Sequence, residues 1–174
     1  MRPGPPAPGP PAPGPPYPGG VAAPVISYRR DYYFGLPPDR LWERIGEVDQ
    51  FEGWWPWLSE FRLDGDGLSE GSVLRGVVSP PLPYRMRLEI ELGHCERPRA
   101  IDATVRGDLT GEATLRMRPE HAGSRVEVAW TIEMRQPVMR LAFRLGRPLM
   151  QWGHDRVVEV TVAGFRRRIQ APES

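Results

Sequence analysis

The C-terminal segment, residues 136–169, constrains the fold more than any other part of this chain. It is the only stretch that is long and periodic enough to form a major helix. It follows residues 61–134, in which apolar and polar residues alternate with the two-residue period of β-strands. Such alternation is typical of antiparallel strands that have one packed face and one solvated face. We therefore predict an α+β fold in which a curved antiparallel sheet of about seven strands packs against one long C-terminal helix.

Two short helices are predicted near the start of the folded region. A first strand over Val25–Phe34 is followed by a proline pair, which is tolerated in the first turn of a helix, and a second helix from Gln50 should end at Pro56. On the strands, the charged face carries arginine and glutamate residues that can pair across neighbouring strands. The opposite face includes the small residues Gly111 and Ala113, which we expect to leave unfilled volume under the sheet.

The long helix is expected to break near residues 146–150. The apolar stripe before Pro148 points in a different direction from the stripe after it, and Gly146 and Pro148 lie at the change. In the rear part, a face at spacings of three and four should turn His154 towards the sheet. Asp155 lies about 100° farther around the helix, so we expect it to face solvent and not to pair with His154.

Composition excludes several classes of function. The formal net charge is +1, which gives no bulk attraction to nucleic acid or to an anionic membrane. No apolar run approaches the length of a membrane span. The single cysteine, Cys95, allows no intrachain disulfide and no cysteine-based metal site, and this fits a reducing cytoplasm.

The N-terminal residues 1–24 differ from the rest of the chain. They repeat proline and glycine with a period of five, which does not suit a collagen helix, and they contain little that could be buried. We predict a disordered tail over residues 1–24 and one folded domain over residues 25–170. The tail could instead be a ligand for a proline-binding module, or translation could begin after it, at Val21.

The candidate site centres on His154. No phosphate-binding loop, dinucleotide fingerprint or serine nucleophile elbow is present, and the three histidines are far apart in sequence, so neither a cofactor nor a metal site is predicted. His154 is either a buried, hydrogen-bonded core residue or a polar group in an apolar cavity, where it could act as an acid–base catalyst. Large adaptable side chains of the kind that line apolar pockets are the candidate ligand-binding residues: Trp54, Trp57, Tyr84, Met86, Trp130, Met134, Met139, Phe143, Met150 and Trp152.

The order of elements resembles the START/Bet v 1-like superfamily, also called SRPBCC, and in particular its bacterial polyketide cyclase/dehydrase-type proteins. The resemblance rests on residues 36–42 (LPPDRLW) with 48–56 (VDQFEGWWP), on residues 107–111 (GDLTG), and on residues 152–155 (WGHD). Relatives often have asparagine before the histidine and methionine a few residues later, where this chain has Gly153 and Val158. The resemblance implies a helix-grip fold, in which the sheet wraps around the long helix.

Three functions follow as hypotheses. The first is binding of a hydrophobic small molecule, lipid-like or polyketide-like, between the sheet and the C-terminal helix. The second, implied by the resemblance, is an enzyme that guides cyclisation or dehydration of a polyketide-like chain, with His154 transferring the proton. The third is a domain without a sizeable cavity that acts through protein partners, with the proline-rich tail as an interaction arm.

Overall fold

The computed structural model describes residues 25–82, 84–135 and 137–170, and within the last helix it describes the side chains of residues 146, 148 and 152–169. The predicted tail over residues 1–24 lies outside the described residues. The strands are β1 (Val25–Phe34), β2 (Leu58–Asp64), β3 (Val73–Val78), β4 (Met86–Glu96), β5 (Ala100–Gly107), β6 (Leu109–Glu120) and β7 (Gly123–Met134). The helices are α1 (Pro38–Ile45), α2 (Phe51–Trp54) and α3 (Pro137–Gln170), with a single 3-10 turn at Val48–Gln50 between the first two.

The strands form one antiparallel sheet with the order β1-β7-β6-β5-β4-β3-β2. Five neighbouring pairs are consecutive in sequence, from β2 through β7, and short turns suffice to join antiparallel strands. β1 and β2 are the two edge strands, and α1 and α2 carry the chain from one edge to the other. The sheet is curved and α3 is its long C-terminal helix, so the predicted α+β helix-grip fold is confirmed.

The outer face of the sheet carries the expected ion pairs between neighbouring strands. Arg29 on β1 lies 3.2 Å from Glu127 on β7, and Arg75 on β3 lies 3.2 Å from Glu89 on β4. Exposed pairs of this kind contribute little each. These charged residues occupy the solvated face of the sheet. Because side chains alternate along a strand, the apolar residues between them lie on the opposite face.

The helical pair packs under one end of the sheet. Leu41 of α1 is completely buried, and Phe34 meets Phe165 of α3 edge to face, with ring centroids 5.5 Å apart. The fully buried hydroxyl of Ser124 donates a hydrogen bond of 2.6 Å to the carbonyl of Leu36. These contacts attach α1 and the rear of α3 to the β1–β7 edge of the sheet.

The predicted break in the long helix is confirmed. Gly146 has φ −141° and ψ 44°, which are not helical values, and it separates two helical parts of α3. Pro148 follows two residues later, in the first turn of the rear part, where its missing N–H group would have no partner in any case.

Gly111 has a different structural reason from the one expected. Its φ is +155°, and a Cβ at this position would overlap the backbone carbonyl oxygen of Thr131 on β7. The glycine therefore permits close approach of β6 and β7. Ala113, by contrast, lines the space beneath the sheet.

A candidate pocket beneath the sheet

A pocket of about 500 Å³ lies between the concave face of the sheet and the rear part of α3. All of the strands contribute lining residues, and the loop after α2 contributes Trp57. From α3, the lining includes His154, Val157, Thr161 and Phe165, which share one face of the helix. Nearly all lining side chains are apolar, and pockets for small molecules commonly have volumes between about 300 and 1,000 Å³.

The pocket brings together six of the residues that the sequence suggested as ligand-binding or catalytic. They come from the loops before β2 and β4, from β4 and β7, and from α3: Trp57, Tyr84, Met86, Trp130, Met134 and His154.

Two other predicted residues do not line the pocket. Trp54 packs beside it, with its ring 5.8 Å from that of Phe165 and 5.4 Å from that of Phe51. Trp152 is 53% exposed, because it precedes His154 by two residues and so lies on another side of the helix.

The side chains of Met139, Phe143 and Met150 lie outside the described residues.

Trp55 lines the pocket in place of its neighbour Trp54. Its ring stacks on that of Trp57 at 5.5 Å, and its Nε1 donates a hydrogen bond of 3.1 Å to the carbonyl oxygen of Thr161. Sequence periodicity cannot predict which ring turns inwards when several tryptophans follow one another in a short helix and loop. Here the hydrogen bond from Trp55 to Thr161 of α3 holds the Trp55 ring against the pocket.

His154 forms part of a ring cluster on the pocket wall. Its ring meets Tyr28 and Trp130 edge to face, at centroid distances of 5.3 and 5.4 Å. As expected, it faces the sheet, and its side chain is only 20% exposed. Asp155 faces solvent as expected, with its side chain 61% exposed. The expectation that it would not pair with His154 was wrong, because its Oδ1 lies 3.2 Å from Nδ1 of His154. The two side chains leave the helix in different directions, but Nδ1 is close enough to the backbone for a neighbouring carboxylate to reach it.

Tyr28 and Tyr32 are pocket residues that the sequence reasoning missed. Tyr28 is paired with Trp130 across β1 and β7 and stacks on it at 4.2 Å, and its hydroxyl lies 2.5 Å from that of Tyr32. Burial, and then the bond to Tyr32, raise the pKa of Tyr28 well above its ordinary value. Both residues are an even number of positions from Ile26, so the two-residue period of a strand places them on the same face as Ile26. Arg30 lies on that face too and is exposed, which interrupts the apolar pattern that would have indicated a pocket.

One polar group of the pocket already has a partner. The hydroxyl of Thr161 donates a hydrogen bond of 2.6 Å to the carbonyl oxygen of Val157. Nε2 of His154 and Nε1 of Trp130 are buried without a hydrogen-bond partner among the described residues.

Within the described part of the chain, no group of three or more His, Cys, Asp or Glu side chains is arranged to hold a metal ion. None of the described helices combines the length and apolarity needed to cross a membrane.

A seven-stranded antiparallel sheet wrapped around a long C-terminal helix, with an apolar pocket between them, defines a helix-grip fold. The chain belongs to the family described as polyketide cyclase/dehydrase and lipid transport, which it matches over residues 27–170.

Solved structures agree on the fold. The protein TTHA0849 from Thermus thermophilus is 21% identical, with a TM-score of 0.70 over 86% of this chain and 100% of that one. The Zhui aromatase/cyclase from a Streptomyces species is 13% identical, with a TM-score of 0.64 over 84% and 97% of the two chains. Truncated norcoclaurine synthase from Thalictrum flavum is 11% identical, with a TM-score of 0.61 over 89% and 99%. No curated protein sequence matches the chain significantly.

Proposed function

We propose that this protein binds an apolar or aromatic small molecule, lipid-like or polyketide-like, in the pocket between the sheet and α3. The observation that carries the proposal is a pocket of about 500 Å³ lined almost entirely by apolar and aromatic side chains. Apolar surface in contact with water is unfavourable, so an apolar occupant would stabilise these walls by taking them out of water.

The experiment is a titration with Nile red, a neutral dye whose emission rises in apolar surroundings. Ala113, a pocket-lining residue on β6, is replaced by phenylalanine to occupy the pocket. The matched control is Ala129→Phe, because Ala129 lies on β7 between the pocket residues Val128 and Trp130 and therefore faces the other side of the sheet. Saturable binding that is lost in Ala113→Phe and kept in Ala129→Phe is the expected result. Equal loss in both variants, or no saturable binding, would contradict the proposal.

A second candidate function is cyclisation or dehydration of a polyketide-like chain, and it is favoured by the surroundings of His154. Its Nδ1 is bonded to a carboxylate, and its Nε2 is buried without a partner among the described residues, in a side chain that lines the pocket. In an aldol-type closure, Nε2 would take a proton from the carbon between two carbonyl groups. That carbon would then form a bond to a third carbonyl carbon, and the imidazolium would return the proton to the resulting alkoxide.

His154→Ala separates the two functions. With a poly-β-keto thioester as the substrate, which carries the third carbonyl group that the closure needs, the variant should lose turnover while retaining affinity for Nile red. Unchanged turnover would exclude His154 as the essential acid or base, and binding would remain as the function.

The proposal also has a cellular setting. A net charge of +1 gives no general attraction to nucleic acid, and a lone cysteine suits a reducing compartment. We propose that the protein is cytoplasmic and that its partner is a hydrophobic small molecule. The molecule would bind in a single domain over residues 25–170. Recovery of the native protein in a membrane or secreted fraction would contradict the location.

A further inference from the structure

Two unpaired polar atoms lie in adjoining rings of the pocket wall. Nε2 of His154 and Nε1 of Trp130 are both buried without a hydrogen-bond partner among the described residues, so they are not bonded to each other. The two rings are nevertheless in contact, with centroids 5.4 Å apart and planes at 65°. Buried polar atoms are normally satisfied, so a pair of unpaired ones in a pocket indicates a place for a partner from outside.

The hydrogen-bonding character of these two atoms is complementary. The carboxylate of Asp155 can only accept, so Nδ1 of His154, at 3.2 Å, carries the proton. In the neutral imidazole, Nε2 then has a lone pair and can only accept a hydrogen bond. The indole Nε1 of Trp130 can only donate one. A group that fits both atoms must therefore donate and accept at the same time.

Tyr28 does not fill this role. It stacks on Trp130 and touches the edge of His154, but its hydroxyl is bonded to Tyr32 at 2.5 Å. Tyr28 instead belongs to the aromatic lining beside the two unpaired atoms, and a pocket lined by so many rings favours a ligand that has a ring itself.

We propose that the pocket selects an aromatic or otherwise ring-bearing ligand with a hydroxyl group, a phenol or an enol, which donates to Nε2 of His154 and accepts from Nε1 of Trp130. This inference rests on the proposed binding function. Both nitrogen atoms are shielded from solvent, so the rings must turn slightly to admit the hydroxyl. The open space of about 500 Å³ beside them allows that movement.

Three probes of nearly equal size test the inference: 2-naphthol, 2-methoxynaphthalene and naphthalene. The first can donate and accept, the second can only accept, and the third can do neither. A ligand that leaves buried polar groups unpaired is disfavoured, so 2-naphthol should bind about tenfold more tightly than either of the others, as measured by calorimetry at a mildly alkaline pH. Equal affinity for 2-naphthol and 2-methoxynaphthalene would overturn the inference.

Variants then locate the hydroxyl site. His154→Phe and Trp130→Phe should each reduce the preference for 2-naphthol to about twofold or less, whereas His154→Gln, which restores an acceptor, should recover part of it. Trp57 supplies a comparison, since it lines the same pocket and its Nε1 is also buried and unpaired among the described residues. Trp57→Phe should change affinity for the three probes in equal proportion. A preference lost in Trp57→Phe but kept in Trp130→Phe would refute the assignment.

The outcomes separate this inference from the function on which it rests. Binding of all three probes with no preference removes the hydroxyl site and leaves the binding function intact. Failure of all three probes and of Nile red removes both. Far-UV circular dichroism and the melting temperature of each variant identify any variant that does not fold, and the remaining variants of the set then decide the result.

Discussion

Replacing Ala113 with phenylalanine should make the protein more stable while it removes binding. In a closely packed core, such a substitution would force strain and destabilise the fold. Ala113 instead borders a pocket of about 500 Å³, so the ring can enter open space. It should cover roughly 100 Å² of apolar surface, which at about 25 cal/mol/Å² corresponds to about 2.5 kcal/mol.

Part of this gain is offset by the rotamer freedom that the phenylalanine side chain loses, about 0.5–1 kcal/mol. The net increase in the free energy of unfolding is then about 1.5–2 kcal/mol, because the ring occupies space that no described side chain fills. For a chain of 174 residues, we expect the melting temperature to rise by about 3–8 °C.

Differential scanning calorimetry of Ala113→Phe, Ala129→Phe and the parent protein measures this effect. The control residue lies on the other face of β7, where there is no pocket to fill, so its melting temperature should change by no more than about 2 °C. A fall in the melting temperature of Ala113→Phe, with the control unchanged, would mean that the space beside Ala113 is already filled. The reasoning behind the proposed function would then fail.

Three further predictions concern the stability of the folded domain. Leu41→Ala, at a completely buried position, should lower the free energy of unfolding by about 3 kcal/mol in urea titrations; a loss below about 1 kcal/mol would contradict the observed packing. Gly111→Ala should cost at least about 2 kcal/mol, because its Cβ would overlap the carbonyl oxygen of Thr131, and unchanged stability would show that the strands can separate without cost. Hydrogen bonds from Arg125 hold the pKa of Glu120 below its ordinary value, so its contribution to stability is present near neutral pH and is lost as the pH falls below about 4.5. Urea titrations across this range should find Glu120→Gln less stable than the parent near neutral pH, with the difference narrowing in acid; a constant difference would argue against this ion pair as the cause.

The general architecture followed from patterns that are local in the sequence. The two-residue alternation predicted the strands, and the paired Arg and Glu residues predicted a wet outer face, which Arg29 and Glu127 illustrate. The break in α3 was also local, since Gly146 and Pro148 both disfavour a continuous helix at the point where the apolar stripe changes direction.

The candidate site was predictable only in part. The spacing along α3 turned His154 towards the sheet, but it gave no sign that Asp155 would reach Nδ1, because the direction of a side chain from the helix does not fix where its end lies. Tyr28 was overlooked because its importance comes from its cross-strand neighbour Trp130, which is about a hundred residues away in sequence. Gly111 was interpreted as free volume, whereas the approach of the neighbouring strand explains it.

The sequence by itself determined the fold class, the face that β4 to β7 bury and the place where the long helix breaks, because each depends on the period of nearby residues. The tertiary structure alone decided which tryptophans line the pocket, which polar atoms among the described residues are left without partners and how the rings of Tyr28, Trp130 and His154 meet. Those properties depend on strand register and on how a helix seats across a sheet. Both are set by contacts between residues that are far apart along the chain.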